Sequence, residues 1–188
     1  TIDFSPVRFS SKLMNKLYHR MDIFCCKYAD ETWNVSPMIN EGRAKRKLPN
    51  NIFKSHHVVP IGVWLDKIKR TEFDKINRYQ IFFVGNLLEK QGVQLVIKAL
   101  LKIKEIMPEI HFMIVGGGEY ESNLKQLVEH YGVSDLVTFT GWIKDRQKLD
   151  KLMFDSAIAI ATYDPSISSF SKYADPTKLK DYLSAGMP

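Results

Sequence analysis

From Tyr79 onward the chain alternates strand-like and helix-like segments, and glycine closes three of the four strand-like ones. Gln80-Ile81-Phe82-Phe83-Val84 is short, apolar and rich in aromatic and β-branched residues, and Gly85 ends it, the pattern of a buried strand. Ile110 to Val115 repeats it ahead of Gly116-Gly117-Gly118, Leu136 to Phe139 ahead of Gly141, and Ala157 to Ala161 makes a fourth. Between them Val93, Val96, Ile97, Leu100, Leu101 and Ile103 recur at helical spacing until Pro108. Leu124, Leu127, Val128 and Tyr131 do the same before Gly132, an expected C-cap. Residues 145–153 predict a short helix, and residues 177–185 another, stopped by Gly186. This alternation predicts βαβ units, hence an α/β fold with a parallel sheet and helices on both faces. Ligands of such sheets bind beyond the carboxyl ends of the strands, which directs attention to the loops after residues 84, 115, 139 and 161.

The first part of the chain is less regular. Residues 11–28 predict an amphipathic helix with Leu13, Leu17, Met21, Phe24 and Tyr28 on one face and Lys12, Lys16, Arg20 and Lys27 on an adjacent arc. The favoured role is a domain helix packed on its apolar face, ahead of a membrane-surface helix. Residues 32–35 suggest a short strand and Ser36 an N-cap for a helix through Arg43; 45–51 reads as exposed loop, 58–63 as apolar and then turning, and 64–78 as a polar connector. At 188 residues and 45% hydrophobic the chain is long and apolar enough for a sizeable core, and no run approaches a membrane span. Its +6 net charge is uneven: residues 1–78 hold 15 basic and 8 acidic side chains, the rest 12 and 13. The basic residues are not interleaved with aromatics on a strand platform, so no nucleic-acid partner is expected. Cys25 and Cys26 are adjacent, read as buried helix residues, and point to a reducing, cytosolic setting. The five histidines lack metal-ligand spacing, and no metal site is expected. Asn34-Val35-Ser36 matches a glycosylation sequon, read as a chance match.

Three loops carry candidate chemistry. In Gly85-Asn86-Leu87-Leu88-Glu89-Lys90-Gln91-Gly92, glycine lets backbone N–H groups approach a phosphate and Lys90 adds counter-charge; a plain turn with solvated charges is the equal alternative. Gly116-Gly117-Gly118 fails the dinucleotide fingerprint, because Glu121 and Tyr120 stand where glycine is needed. Three successive glycines still favour close approach by a ligand or by another backbone segment. In the third loop Asp175 is the expected N-cap and Pro176 suits the first helical turn. Thr177 and Lys178 there offer donors to an anion, and Asp181 accepts from hydroxyls one turn later.

In order, Asn34-Val35-Ser36, Val59-Pro60-Ile61-Gly62-Val63, Phe83-Val84-Gly85 with Gly92, Ile114-Val115-Gly116-Gly117-Gly118-Glu119, Phe139-Thr140-Gly141-Trp142 and Pro176-Thr177-Lys178-Leu179 with Asp181 to Pro188 resemble family 4 retaining glycosyltransferases of the GT-B fold. The resemblance runs from about residue 29 to the end. It implies a Rossmann-like donor domain over 77–188, the tail of an acceptor-side domain over 1–46, and a connector over 47–76. It also implies a truncated chain that binds donor weakly and does not catalyse alone. The implied reaction transfers a sugar from a nucleotide-sugar donor to a saccharide or lipid-linked acceptor with retention, in cell-surface polysaccharide or glycoconjugate synthesis. The nucleotide diphosphate leaves from the face the acceptor attacks. No metal is implied, because basic side chains and helix dipoles neutralise the diphosphate.

Carried over by position, the donor site comprises Gly85, Asn86, Lys90, Gln91, Gly116, Gly117, Gly118, the Ile143 backbone against the base, Thr177, Lys178 and Asp181. The family's basic pair falls on Asn86 and Gln91, its first glutamate near Tyr173, and its second on Asp181, the expected ribose acceptor. Lys178 is the substitute expected for the lost basic pair. No catalytic residue is assigned. The basic first part implies an anionic membrane surface as a further partner of a cytoplasmic, peripheral enzyme. The alternatives are a noncatalytic nucleotide-sugar-binding or partner-docking subunit and, disfavoured by its failed fingerprint, a Rossmann oxidoreductase.

Overall fold

The computed structural model describes residues 11–45, 55–63, 71–164 and 175–188. The chain divides into two compact units, residues 1–61 with 168–175 and residues 62–167 with 176–188.

The first unit contains α1 (Lys12–Tyr28), β1 (Thr32–Asn34), α2 (Pro37–Lys45) and β2 (His56–Val58). Ser11 caps α1 by accepting from the Met14 N–H, and the Ser36 hydroxyl accepts from the Met38 N–H at the start of α2, as expected. Strands β1 and β2 pair in parallel with Thr32 opposite His56. The sequence did not signal β2, whose first two residues are histidines. Arg43 joins the elements: its guanidinium lies 2.7 Å from Asp22 of α1 and 2.8 Å from the Asn34 amide oxygen of β1. Cys26 is buried beside this network while Cys25 is exposed, which corrects the expectation of two buried thiols. Neighbours on a helix are about 100° apart and do not share a face. The apolar face of α1 was expected to be packed. In the structure Leu13, Leu17, Met21, Phe24 and Tyr28 are all exposed, and Asp22 and Cys26 mark the side that packs inward. The 45–51 loop and the start of the connector lie mostly outside the described residues.

The second unit alternates β3 (Asn77–Val84), α3 (Val93–Ile106), β4 (His111–Val115), α4 (Glu121–His130), β5 (Val137–Gly141), α5 (Arg146–Phe154), β6 (Ser156–Ala159) and α6 (Thr177–Ser184). All four strands are parallel, in the order β5-β4-β3-β6. Residues on β3 alternate between two layers. Ile81 and Phe83 pack with Phe112 and Ile114 under α3 and α4, through Val96, Ile97, Leu100, Leu124 and Val128. Phe82 packs with Val115 under α5 and α6, through Met153, Phe154, Tyr182 and Ala185. Because both faces are covered, the strand reads as an unbroken apolar run rather than an alternating one. Phe82, Phe83 and Phe112 are fully buried, and truncating any of them to alanine costs about 3–5 kcal/mol. This is the Rossmann-like sheet with helices on both faces that the sequence predicts.

Two boundaries differ from expectation. β3 begins at Asn77, inside the stretch read as connector, because pairing rather than burial extends it: its first three residues are exposed. β6 stops at Ala159, although the Ile160 N–H still reaches the Phe82 carbonyl at 2.9 Å. This sheet starts at β3, adds β4 and β5 on one side, then returns to lay β6 on the other. In open α/β sheets such a reversal places the ligand crevice beyond the carboxyl ends of the strands on either side of it, here β3 and β6.

Candidate functional site

At the carboxyl end of the sheet the turn after β3 lies against the turn after β4. The Gly85 N–H donates to the Val115 carbonyl and the Leu87 N–H to the Gly117 carbonyl, each at 3.0 Å, and the Tyr120 N–H returns to the Leu87 carbonyl at 3.0 Å. A side chain at Gly116 would run into the Gly85 carbonyl oxygen, and at φ +128° would also be strained. A Cβ on Gly117 would stand 2.8 Å from the Trp142 indole nitrogen. One on Gly118 would stand 2.6 Å from the Asn86 amide oxygen and 2.8 Å from the Leu87 nitrogen. Of the two uses open to this glycine run, the structure shows close approach by the chain's own backbone and by Trp142.

The other side of the crevice is built differently. Helix α6 begins after Pro176, which supplies no side-chain cap to its first N–H groups. Asp175, the expected N-cap, instead accepts from the Ile61 N–H at 2.8 Å within the first unit. Proline itself takes the cap position and has no side-chain acceptor, so the carboxylate falls one residue outside the helix. Thr177 is exposed. Lys178 turns inward: its ammonium donates to the Gln91 amide oxygen at 2.6 Å and stands 4.4 Å from the centroid of the Phe83 ring and 5.3 Å from that of Tyr163. It would lie 3.3 Å from a Cβ on Gly85. No carboxylate pairs with it among the described residues. Burial pushes its pKa down to about 8. At neutral pH the protonated form still leads by about ten to one, so Lys178 is a half-desolvated cation for which the described residues supply no counter-ion.

The loop after β6 fixes the amide that receives this lysine. Thr162 donates to the Gly92 carbonyl at 3.0 Å, the Asp164 N–H to the Lys90 carbonyl at 3.2 Å, and Gln94 donates to Glu89 O and the Asp164 carboxylate. Gly92 has φ +72°, and a Cβ there would lie 2.6 Å from the Thr162 carbonyl oxygen. Thr162, Tyr163 and Asp164 were not among the expected site residues. Their place after the fourth strand was the available signal. Asn86 is exposed and Lys90 half-buried, and Lys178 of α6 adds a second cation beside this turn.

One turn along α6, Asp181 is half-buried. Burial and nearby Asp150 raise its pKa, and Arg146 counters them. The next residue, Tyr182, is buried, and its hydroxyl accepts from the Val84 N–H at 3.2 Å, pinning α6 to β3. Ile143 packs toward the α5–α6 side of the core, next to exposed Trp142. The structure thus brings Gly85, Gln91 and Lys178 together, with Asp181 one turn beyond and the Gly116–Gly118 run against Gly85. Among the described residues, no group of three or more His, Cys, Asp or Glu side chains could hold a metal ion. None of the described helices is long and apolar enough to cross a membrane.

Residues 66–164, more than half of the chain, match the model of the family described as Glycosyl transferases group 1. An uncharacterized glycosyltransferase of Methanocaldococcus jannaschii is 29% identical over 164 residues, 82% of this chain and 39% of that protein. The putative colanic acid biosynthesis glycosyltransferase WcaL of Escherichia coli is 26% identical over 111 residues, 58% of this chain and 26% of that protein. Among solved structures, Anabaena HepE in complex with UDP and glucose superposes with a TM-score of 0.75 at 17% identity, over 100% of this chain and 50% of that one. The lipopolysaccharide outer core galactosyltransferase WaaB gives 0.63 at 20% identity, over 92% and 45%. The chain therefore spans at most half the length of these relatives, and the structural likenesses speak for the fold.

Proposed function

The chain belongs to the glycosyl transferases group 1 family, and from that membership we propose that its second unit binds the nucleoside-diphosphate sugar donor of a retaining glycosyltransferase. The observation that carries this reading is Lys178, a half-buried ammonium with no carboxylate partner among the described residues, beside Gly85 at the carboxyl end of β3. A diphosphate there replaces lost hydration with a charge-assisted contact. The first N–H groups of α6, which Pro176 does not cap, add positive potential from the helix terminus. In this reading Asp181 accepts from the ribose hydroxyls and the Ile143 backbone meets the base. As the sugar–oxygen bond breaks, negative charge collects on the diphosphate, where Lys178 and the start of α6 stabilise it without a metal. The acceptor is a saccharide or lipid-linked saccharide that attacks from the face the diphosphate leaves, and the setting is surface polysaccharide or glycoconjugate synthesis. The exposed apolar face of α1, flanked by Lys12, Lys16, Arg20 and Lys27, supports a peripheral place on an anionic cytoplasmic membrane surface.

The loss of basic residues at 86 and 91 supports a second reading, a noncatalytic nucleotide-sugar-binding subunit. A thermal-shift panel with UDP, GDP, ADP and NAD tests the donor site. One nucleoside diphosphate is expected to raise the melting temperature of the wild type and to lose that effect in Lys178→Met. A shift with NAD alone overturns the proposal. Sugar transfer by the full protein then separates enzyme from binding subunit, and vesicle binding that ignores anionic lipid content removes the membrane assignment.

A further inference from the structure

On α5, Asp145 caps the first turn by accepting from the Gln147 and Lys148 N–H groups, which fixes where Arg146 leaves the helix. The Arg146 Nε lies 2.7 Å from the Asp150 carboxylate one turn on, while its Nη2 lies 3.8 Å from the Asp181 carboxylate of α6. One guanidinium thus spans two acids on two helices, a use its five-donor fork permits and an ammonium does not match. The two contacts differ in kind. At 2.7 Å Asp150 is a close ion-pair partner, although its Oδ1 makes no hydrogen bond; at 3.8 Å Asp181 feels the charge but keeps its oxygen lone pairs for another donor.

We propose that Arg146 is a positioning residue for nucleotide capture, bridging Asp150 and Asp181 so that the Asp181 carboxylate is held as a charged, oriented acceptor for ribose hydroxyls. This rests on the nucleotide-binding reading above. Around Asp181, Arg146 and Asp150 reach in from α5, and Lys178, Lys180 and Tyr182 flank it on α6. Arg146 is the group whose charge favours the ionised carboxylate; burial and Asp150 oppose it. Without the guanidinium both remaining influences drive Asp181 toward the neutral acid, which donates one hydrogen bond where the carboxylate accepted two or more.

Calorimetric titration of the full protein with UDP, GDP and ADP between about pH 5 and 8 tests this on wild type, Arg146→Gln, Arg146→Lys and Asp181→Asn. Arg146→Gln is expected to weaken the bound diphosphate about tenfold near pH 5.5 and about threefold near pH 7.5, because the acid limb of binding moves upward. Arg146→Lys restores the limb without restoring full affinity. The double variant with Asp181→Asn is no weaker than Asp181→Asn alone, and the penalty shrinks with the 2′-deoxy diphosphate. The same loss factor at every pH, or additive losses in the double variant, overturns the proposal. Carbon-13 titration of the Asp181 carboxyl reads the same effect with no ligand. Its midpoint is expected to rise in Arg146→Gln, and an unchanged midpoint overturns the role of Arg146 on its own. If no diphosphate binds the wild type, the nucleotide-binding reading fails, and the carboxyl titration still decides this one.

Discussion

Two turns at the carboxyl end of the sheet invite comparison. The turn after β4 holds three successive glycines, and the chain itself uses the space: the Gly85 carbonyl, the Leu87 backbone and the Trp142 ring stand where side chains would be. The turn after β3 is less rich in glycine, yet beside it lies Lys178, whose charge the described residues leave uncompensated. Open backbone geometry in the first turn admits close approach by the chain's own atoms. In the second, the described residues leave a charge uncompensated, which is why the donor proposal rests there. A glycine run marks close approach without saying by what, whereas a desolvated cation in a crevice calls for an anion.

The sharpest way to break that contrast is Gly116→Ala. Its Cβ meets a backbone oxygen at a left-handed φ, so neither the side chain nor the strand can yield cheaply; thermal unfolding is expected to show a loss of about 4 kcal/mol or more. A melting temperature like that of the wild type means the run is not filled as described. Lys178→Met comes next and acts in opposite directions on binding and stability. Affinity for the bound nucleoside diphosphate falls about 10- to 100-fold, while the ligand-free fold gains about 1–2 kcal/mol at neutral pH, a gain discounted for the partial exposure of the ammonium. A variant that loses stability and keeps affinity makes Lys178 a structural residue.

The same group sets a pH signature. Its pKa falls from 10.5 to about 8 on folding, so between those values the unfolded chain binds more protons. Wild-type stability therefore rises across that window relative to Lys178→Met, while diphosphate affinity is level below about pH 8 and then declines by up to tenfold per unit. Parallel urea titrations of the two proteins and calorimetry across the window check both slopes. Gly132→Ala gives the smallest effect: φ is +59° but nothing lies within 4 Å of the added carbon, so strain alone costs about 1 kcal/mol in urea unfolding. If that loss equals the one at Gly116, close backbone approach is not what separates the glycines.

Much of the fold was legible locally. Apolar runs, three of the four ended by glycine, located the strands of the second unit, and helical spacing located α3, α4 and α6 to within a few residues. The misses share a cause. β3 was extended at its start by pairing with the strand beside it, and β2 is a strand because β1 lies alongside it; neither is a property of its own residues. Asp175 looked like a cap in sequence, yet its acceptor was taken by the Ile61 N–H, more than a hundred residues earlier.

The sequence by itself determined the class of fold, the parallel order of its units, the uneven charge and the loops where a ligand would sit, because periodicity and turn chemistry act between near neighbours. Only the tertiary structure decided that Gly85, Leu87 and Trp142 close on Gly116 to Gly118, that Lys178 meets Gln91 across 87 residues, and that Arg146 stands between Asp150 and Asp181. Steric filling and desolvation are sums over atoms from remote parts of the chain, so no local pattern carries them.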